Sequence, residues 1–327
     1  MLNGTYPNQL LPAESQMPPD YLLFAQHGWA DTATAIRSLA LELGSDSTPV
    51  IAPDLGWLAT WIRIDPLIQT VETTAESWFV NYPDTPWRII GHSMGGLIWI
   101  ELLHRHPEWQ ERVHSLVLIA SPVRGAGLAR MLDPLRWGLG IAGDLGKNRL
   151  ALAEQIAATI PTLVIAGDID NGSDGIVTVQ ATQFDPTHQV ILPHSHPQLK
   201  RHPDLIPVIQ SFWQAPTVPP QGQPDPCRAI IQAIAALPGI TPAHPRDLTQ
   251  ARLYLRLPNG VCLWKLRNLW QVDHIFVTDP QGRCQFSGFV GWQEREAFWA
   301  GLKRVEQTGL QPLSPSGGGA GSDRVEP

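Results

Sequence analysis

Between residues 87 and 103 an apolar run, Trp-Arg-Ile-Ile, meets Gly-His-Ser-Met-Gly-Gly and continues as Leu-Ile-Trp-Ile-Glu-Leu-Leu. A strand-length apolar run before the glycines and a helix-length one after them mean that a buried strand turns into a helix across a single residue, Ser93. Gly91 and Gly95 leave out side chains where strand and helix pass closely. The turn holds Ser93 in a strained conformation with its hydroxyl at the strand end. The helix that follows begins with backbone N–H groups lacking an intrahelical acceptor, so an anionic oxygen beside Ser93 meets donors.

This strand, Gly-x-Ser-x-Gly turn and helix resemble the nucleophile elbow of the α/β-hydrolase superfamily. The resemblance covers residues 20–214 and implies an α/β fold with a mostly parallel sheet and a short lid insertion. It also implies a serine hydrolase whose Ser, Asp or Glu, and His follow in that chain order. Upstream, residues 21–25 form an apolar strand ending at Gln26-His27-Gly28-Trp29, with a helix expected over 34–43. That arrangement is similar to the superfamily's oxyanion loop, which implies Trp29 as one backbone donor and Met94 as the second.

Further strands are expected at 50–54, 87–90, 114–120, 160–167 and 188–192, and helices at 68–80, 94–104 and 203–213. Trp57 and Trp61 stand at helical i,i+4 spacing and read as core or a capping face, with an acyl pocket as the alternative. Residues 122–155 break the strand and helix rhythm with Gly, Pro and Leu, and by resemblance they are the lid. The acidic loop after 160–167 contains Asp168, Asp170 and Asp174. The resemblance implies that the acid sits here, at Asp174 by its Asp-Gly-x-Val context, with Asp170 as the alternative. A calcium loop is disfavoured, because the glycine is misplaced and no Glu closes it. The loop after 188–192 carries His194 and His196. His196, followed by Pro-Gln-Leu, resembles the histidine of the relay, and His194 is the alternative base. A zinc site at the pair lacks a compact third and fourth ligand.

Residues 215–226 are dense in proline and read as a semi-rigid linker. After them, residues 227–308 read as a separate α+β module: a helix over 228–237, a four-stranded antiparallel meander turning at Pro258-Asn259-Gly260 and Pro280-Gln281-Gly282, and a helix over 293–306. Trp264, Trp270, Trp292 and Trp299 are read mostly as its small core. Arg252, Arg256, Lys265 and Arg267 suggest a weakly basic surface toward anionic headgroups. Residues 1–19 read as a flexible arm and 309–327 as a disordered tail.

Composition narrows the function. At 327 residues and net charge −7 the chain lacks the basic footprint of a nucleic-acid binder. Cys227, Cys262 and Cys284 are an odd number, which argues against a disulfide framework. With no basic, apolar leader and no spanning segment, a cytoplasmic protein is expected. The implied chemistry is hydrolysis of a small-molecule or lipid ester through an acyl-enzyme, with no metal or organic cofactor and with peripheral membrane contact through the second module. Alternatives are a thioesterase, a cofactor-free perhydrolase or haloperoxidase, and a catalytically silent scaffold that binds a partner or lipid.

Overall fold

Strands buried on both faces need apolar residues at nearly every position, and in the first part of the chain such runs form the middle of a six-stranded sheet whose edge strands are shorter or half-exposed. The computed structural model describes residues 19–125, 140–220 and 226–308. The chain divides into two units, Met1–Gly222 and Gln223–Pro327. In the first, strands β1 (Leu22–Gln26), β2 (Val50–Ile51), β3 (Trp87–His92), β4 (Val113–Ile119), β5 (Thr162–Gly167) and β6 (His188–Leu192) pair in the order β2-β1-β3-β4-β5-β6. All five pairings are parallel. The connections carry α1 (Ala33–Leu43), α2 (Ile64–Asn81), α3 (Met94–Arg105), α4 (Gly140–Leu145), α5 (Leu150–Ala157) and α6 (Val179–Thr182), and α7 (Leu205–Gln214) follows β6.

Because side chains alternate across a strand, the sheet feeds two cores. Phe24, Ile89, Leu118 and Val164 pack with Val71 of α2, Leu97 of α3 and Ile156 of α5. Their neighbours Leu23, Ile90, Val117 and Ile165 pack on the other face with Ile36 of α1 and Ile209 of α7. The result is a three-layer α/β/α unit.

Several boundaries differ from the sequence reading. Helix α2 starts at Ile64, four residues earlier than expected, because Pro66 falls in the first turn, where a missing N–H costs nothing. Asp144 of α4 supplies an acceptor for that turn, taking the Ile64 N–H at 3.1 Å. The strand expected over 50–54 shortens to two residues ahead of Pro53. Trp57 and Trp61 are not core: a turn holds Trp57 and a short 3-10 turn, Ala59–Trp61, holds Trp61, with no α-helix between them, and they are 47% and 40% exposed. The lid expected over 122–155 lies partly outside the described residues, at 126–139, as do the arm to residue 18, linker residues 221–225 and the tail from 309.

The second unit is built from α8 (Pro226–Ala235), β7 (Ile240–Pro242), β8 (Arg252–Arg256), β9 (Cys262–Arg267), β10 (Asp273–Thr278), β11 (Cys284–Val290) and α9 (Arg295–Thr308). Its sheet has five antiparallel strands in the order β7-β11-β10-β9-β8, one more than the expected meander. Strand β7 was not legible because it is three residues long and ends in proline, and it pairs only as an edge. Gly260 and Gly282 take φ of 86° and 82° at the two expected turns. The core is aliphatic and Phe-based, with Ile234, Leu263, Ile275, Val277, Phe298 and Leu302. Most of the tryptophans are not its core, which corrects the sequence reading: Trp270 and Trp292 are exposed and Trp264 is half-buried, while Trp299 packs against the core from its edge. Among the described residues no helix is long and apolar enough to cross a membrane.

Candidate active site

Parallel strands deliver their following loops to one edge of the sheet, and sites form there. The ends of β1, β3, β5 and β6 bring the loops of Trp29, Ser93, Asp174 and His196 to that edge. Ser93 follows β3 with φ 54° and ψ −122°, a conformation that costs a non-glycine residue on the order of 1–3 kcal/mol. It persists because its surroundings fix it. The Ser93 N–H donates to the Ile119 carbonyl at 2.8 Å, and the Ser93 carbonyl accepts from Gly96 at 3.1 Å. A Cβ on Gly95 would collide with the Gln26 carbonyl, so glycine is what lets α3 start against the end of β1.

The β1 loop is set by His27. Its Nε2 accepts the Leu55 N–H at 3.0 Å, so Nδ1 carries the proton and donates to the Gly28 carbonyl at 3.0 Å. Burial lowers the His27 pKa, which keeps the ring neutral and this tautomer in place. With the Gly28 carbonyl turned to His27, the N–H of Trp29 in the same planar peptide points the opposite way. Gly28 also lies so close to the elbow that a Cβ there would meet Ser93 Cβ and come within 3.2 Å of the Met94 nitrogen. Among the described residues, neither the Trp29 nor the Met94 N–H has an acceptor.

After β5, Asp174 is buried with both carboxylate oxygens engaged. Oδ1 accepts the N–H groups of Ile176 and Val177 at 2.9 and 2.7 Å, and Oδ2 lies 2.6 Å from His196 Nδ1. The His196 N–H donates to the Asp174 carbonyl at 2.9 Å, which ties the two loops together by backbone as well. Ser93 and His196 line one cavity of about 180 Å³, together with Trp29, Leu145, Ile176 and Val177. Among the described residues the Ser93 hydroxyl has no hydrogen-bond partner, and it shares the cavity wall with His196.

No family model matches the chain, and no curated protein matches it. Solved structures do. The chain is similar to a lipase of Bacillus licheniformis in its propeptide form, at 13% identity and a TM-score of 0.51, over 82% of this chain and 63% of that one. The first unit has an α/β-hydrolase fold. The same lipase in mature form matches at 15% identity and a TM-score of 0.45, over 60% of this chain and 91% of that one. A thioesterase of the prodiginine pathway of Streptomyces coelicolor matches at 16% and 0.40, over 63% and 91%.

Within this α/β-hydrolase fold the alternative residues go elsewhere. Asp170 turns to Ser173, accepting from its N–H and hydroxyl at 2.8 and 3.0 Å. Asp168 accepts the Gly172 N–H at 2.8 Å, so the acidic loop is laced by its own backbone. His194 places Nε2 2.8 Å from Asp204, and its ring stacks on His202 at 3.6 Å and 28°. These three are the described residues closest to a metal-ligating set. Their ligand atoms lie within 4.8 Å of one another, and the Asp204 N–H already donates to His202 Nδ1 at 3.3 Å. Trp57 donates to the Ala30 carbonyl at 3.1 Å, while Trp61 packs edge-on against Trp29 at 4.5 Å, so the pair buttresses the β1 loop from outside. The cysteines are free thiols, and burial pushes that of Cys284 up to about 11.

Sequence reasoning missed three participants: His27, the Asp31–Lys200 ion pair at 2.9 Å on the cavity wall, and His92. His92 Nε2 lies 3.3 Å from the His196 carbonyl; a carbonyl only accepts, so Nε2 bears the proton and braces the His196 loop. Burial, reinforced by neighbouring His196, drives the His92 pKa well below its ordinary value. Below pH 6.5 the unfolded chain therefore takes up a proton that the folded chain refuses. Stability falls with pH there, by at most about 1.4 kcal/mol per pH unit for each such histidine. His106 has the opposite sign, because pairing with Glu72 and Glu108 outweighs burial and raises its pKa. His92→Asn is expected to flatten the slope between pH 6.5 and 5 by one proton's worth in urea titrations. An unchanged slope would refute a neutral, buried His92.

Proposed function

We propose that the chain is a serine hydrolase that cleaves a carboxylic ester through an acyl-enzyme. The observation that carries this reading is the single cavity shared by Ser93 at its positive-φ turn and by His196, whose Nδ1 is held by buried Asp174. His196 Nε2 removes the Ser93 proton as Oγ attacks the ester carbonyl. Asp174 fixes the tautomer that leaves Nε2 free and stabilises the imidazolium that forms. The Trp29 and Met94 N–H groups receive the oxyanion; losing one such donor typically costs about 3–4 kcal/mol of transition-state stabilisation. His196 then protonates the leaving alcohol and activates the water that releases the acid.

The cavity, about 180 Å³, is small beside the roughly 300–1,000 Å³ of typical ligand pockets, and apart from Asp31–Lys200 its walls are largely apolar. This supports a short acyl group. On p-nitrophenyl esters, turnover is expected to be highest between acetate and butyrate and to fall toward palmitate. A fluorophosphonate probe is expected to label the intact chain and not Ser93→Ala. Labelling that persists in Ser93→Ala, or its absence in both, would defeat this reading in favour of another nucleophile or a silent scaffold.

A further inference from the structure

The second unit holds a cavity of about 690 Å³ between α9 and strands β8 to β10. Arg295, Trp299 and Lys303 recur every four residues on α9 and form one wall; Arg252, Lys265 and Arg267 rise from the strands opposite. The single carboxylate among its lining residues, Asp273, is already taken. Arg267 and Arg295 pair with it at 2.7 and 2.9 Å, and the Trp299 indole donates to it at 2.7 Å. No carboxylate of a described residue pairs with Arg252, Lys265 or Lys303. The strand register moreover sets Arg252 directly opposite Lys265, an arrangement of like charges that destabilises a sheet. Lys265 lies over the Tyr254 and Trp299 rings at 4.8 and 5.9 Å, which holds its ammonium over the cavity floor. Residues 226–308 carry ten Lys and Arg against six Asp and Glu, net +4, in a chain of net −7. Arg256, counted with this surface from the sequence, does not line the cavity.

A second feature adjoins the first. The turn joining β9 to β10, just beyond the Arg267–Asp273 pair, presents Leu269 and Trp270 at 97% and 77% exposure, and Trp292 beside them is 69% exposed. The tip is held in place: Asn268 Oδ1 accepts from Trp270 and Val272 at 3.0 Å, and the Trp292 indole donates to the Trp270 carbonyl at 2.9 Å. An aliphatic side chain beside two indoles, next to unpaired cations, matches the apolar boundary and the phosphate layer of a lipid surface. Leu269 has nothing to offer a soluble phosphate compound or a stacked base.

We propose that this unit docks on anionic phospholipid bilayers, with Leu269, Trp270 and Trp292 entering the headgroup boundary and a lipid phosphate held between Arg252, Lys265 and Lys303. The site is independent of the hydrolase chemistry, so Ser93→Ala protein is expected to bind as the native chain does. The test is co-sedimentation of the full chain with vesicles of phosphatidylcholine alone and of phosphatidylcholine mixed with phosphatidylglycerol. Binding is expected only to the mixed vesicles, weakening as salt screens the cations. Arg252→Ala and Lys265→Ala are each expected to lower partitioning about fivefold. Leu269→Ser with Trp270→Ser is expected to abolish it together with the blue shift of tryptophan emission. These side chains are exposed, and unchanged circular dichroism checks that the variants fold. Equal binding to both vesicles, no binding to either, or variants that bind like the native chain would overturn the proposal. So would saturable binding of glycerol phosphate or of a single-stranded oligonucleotide without any vesicle binding.

Discussion

Replacing Ser93 with alanine is expected to lower ester turnover by about a millionfold, the order seen when the nucleophile of a serine relay is removed. Stability is expected to move independently. Ser93 sits at φ 54° and ψ −122°, which glycine tolerates and other residues resist. Ser93→Gly should therefore be as inactive as alanine yet more stable, by about 1 kcal/mol once the extra flexibility of unfolded glycine is subtracted from the relieved strain. Steady-state kinetics on p-nitrophenyl butyrate and urea unfolding of the three proteins measure both quantities. A loss of activity that accompanied a loss of stability would mean that Ser93 is a structural residue, and the hydrolase reading would fall.

That opposition of sign follows from why the elbow was legible at all. Gly91 is demanded by the backbone of Gly95 and Gly96, a few residues on, and although Gly95 answers to the distant Gln26 carbonyl, the two glycines flank one serine and so form a local pattern. The sheet was legible for a similar reason: strands buried on both faces leave continuous apolar runs. What the chain hid depends on partners far along it. His27 owes its tautomer to the Leu55 N–H, 28 residues downstream. His92 owes its role to the His196 carbonyl, 104 residues away. The i,i+4 spacing of Trp57 and Trp61 suggested helix and core, but a turn followed by a three-residue 3-10 turn does not carry α-helical periodicity, and the pair packs outside the β1 loop instead. In the second unit the tryptophans suggested a core because they are large; aliphatic residues fill it, and the indoles at 270 and 292 stand in solvent.

The acid is the point on which spacing was least decisive, since Asp170 and Asp174 share one loop four residues apart. Asp174→Asn is expected to cost about ten thousandfold in turnover, as a carboxylate-to-amide change does in such a relay. An amide oxygen can still accept the Ile176 and Val177 N–H groups, so the loop keeps its shape. The amide nitrogen then faces His196 Nδ1 as a donor and forces the proton onto Nε2, where it blocks the base. Asp170→Asn touches none of this: its carboxylate accepts from the Ser173 N–H and hydroxyl, and an amide oxygen replaces much of that. Its turnover is expected to stay within a few-fold of native. Because Asp174→Asn leaves Nε2 as a donor and not an acceptor, its defect should also be partly relieved at high pH, where hydroxide deprotonates the serine without help from the ring. A pH–rate profile flat in its deficit, or a larger loss from Asp170→Asn than from Asp174→Asn, would move the acid to Asp170 and require the loop to rearrange before catalysis.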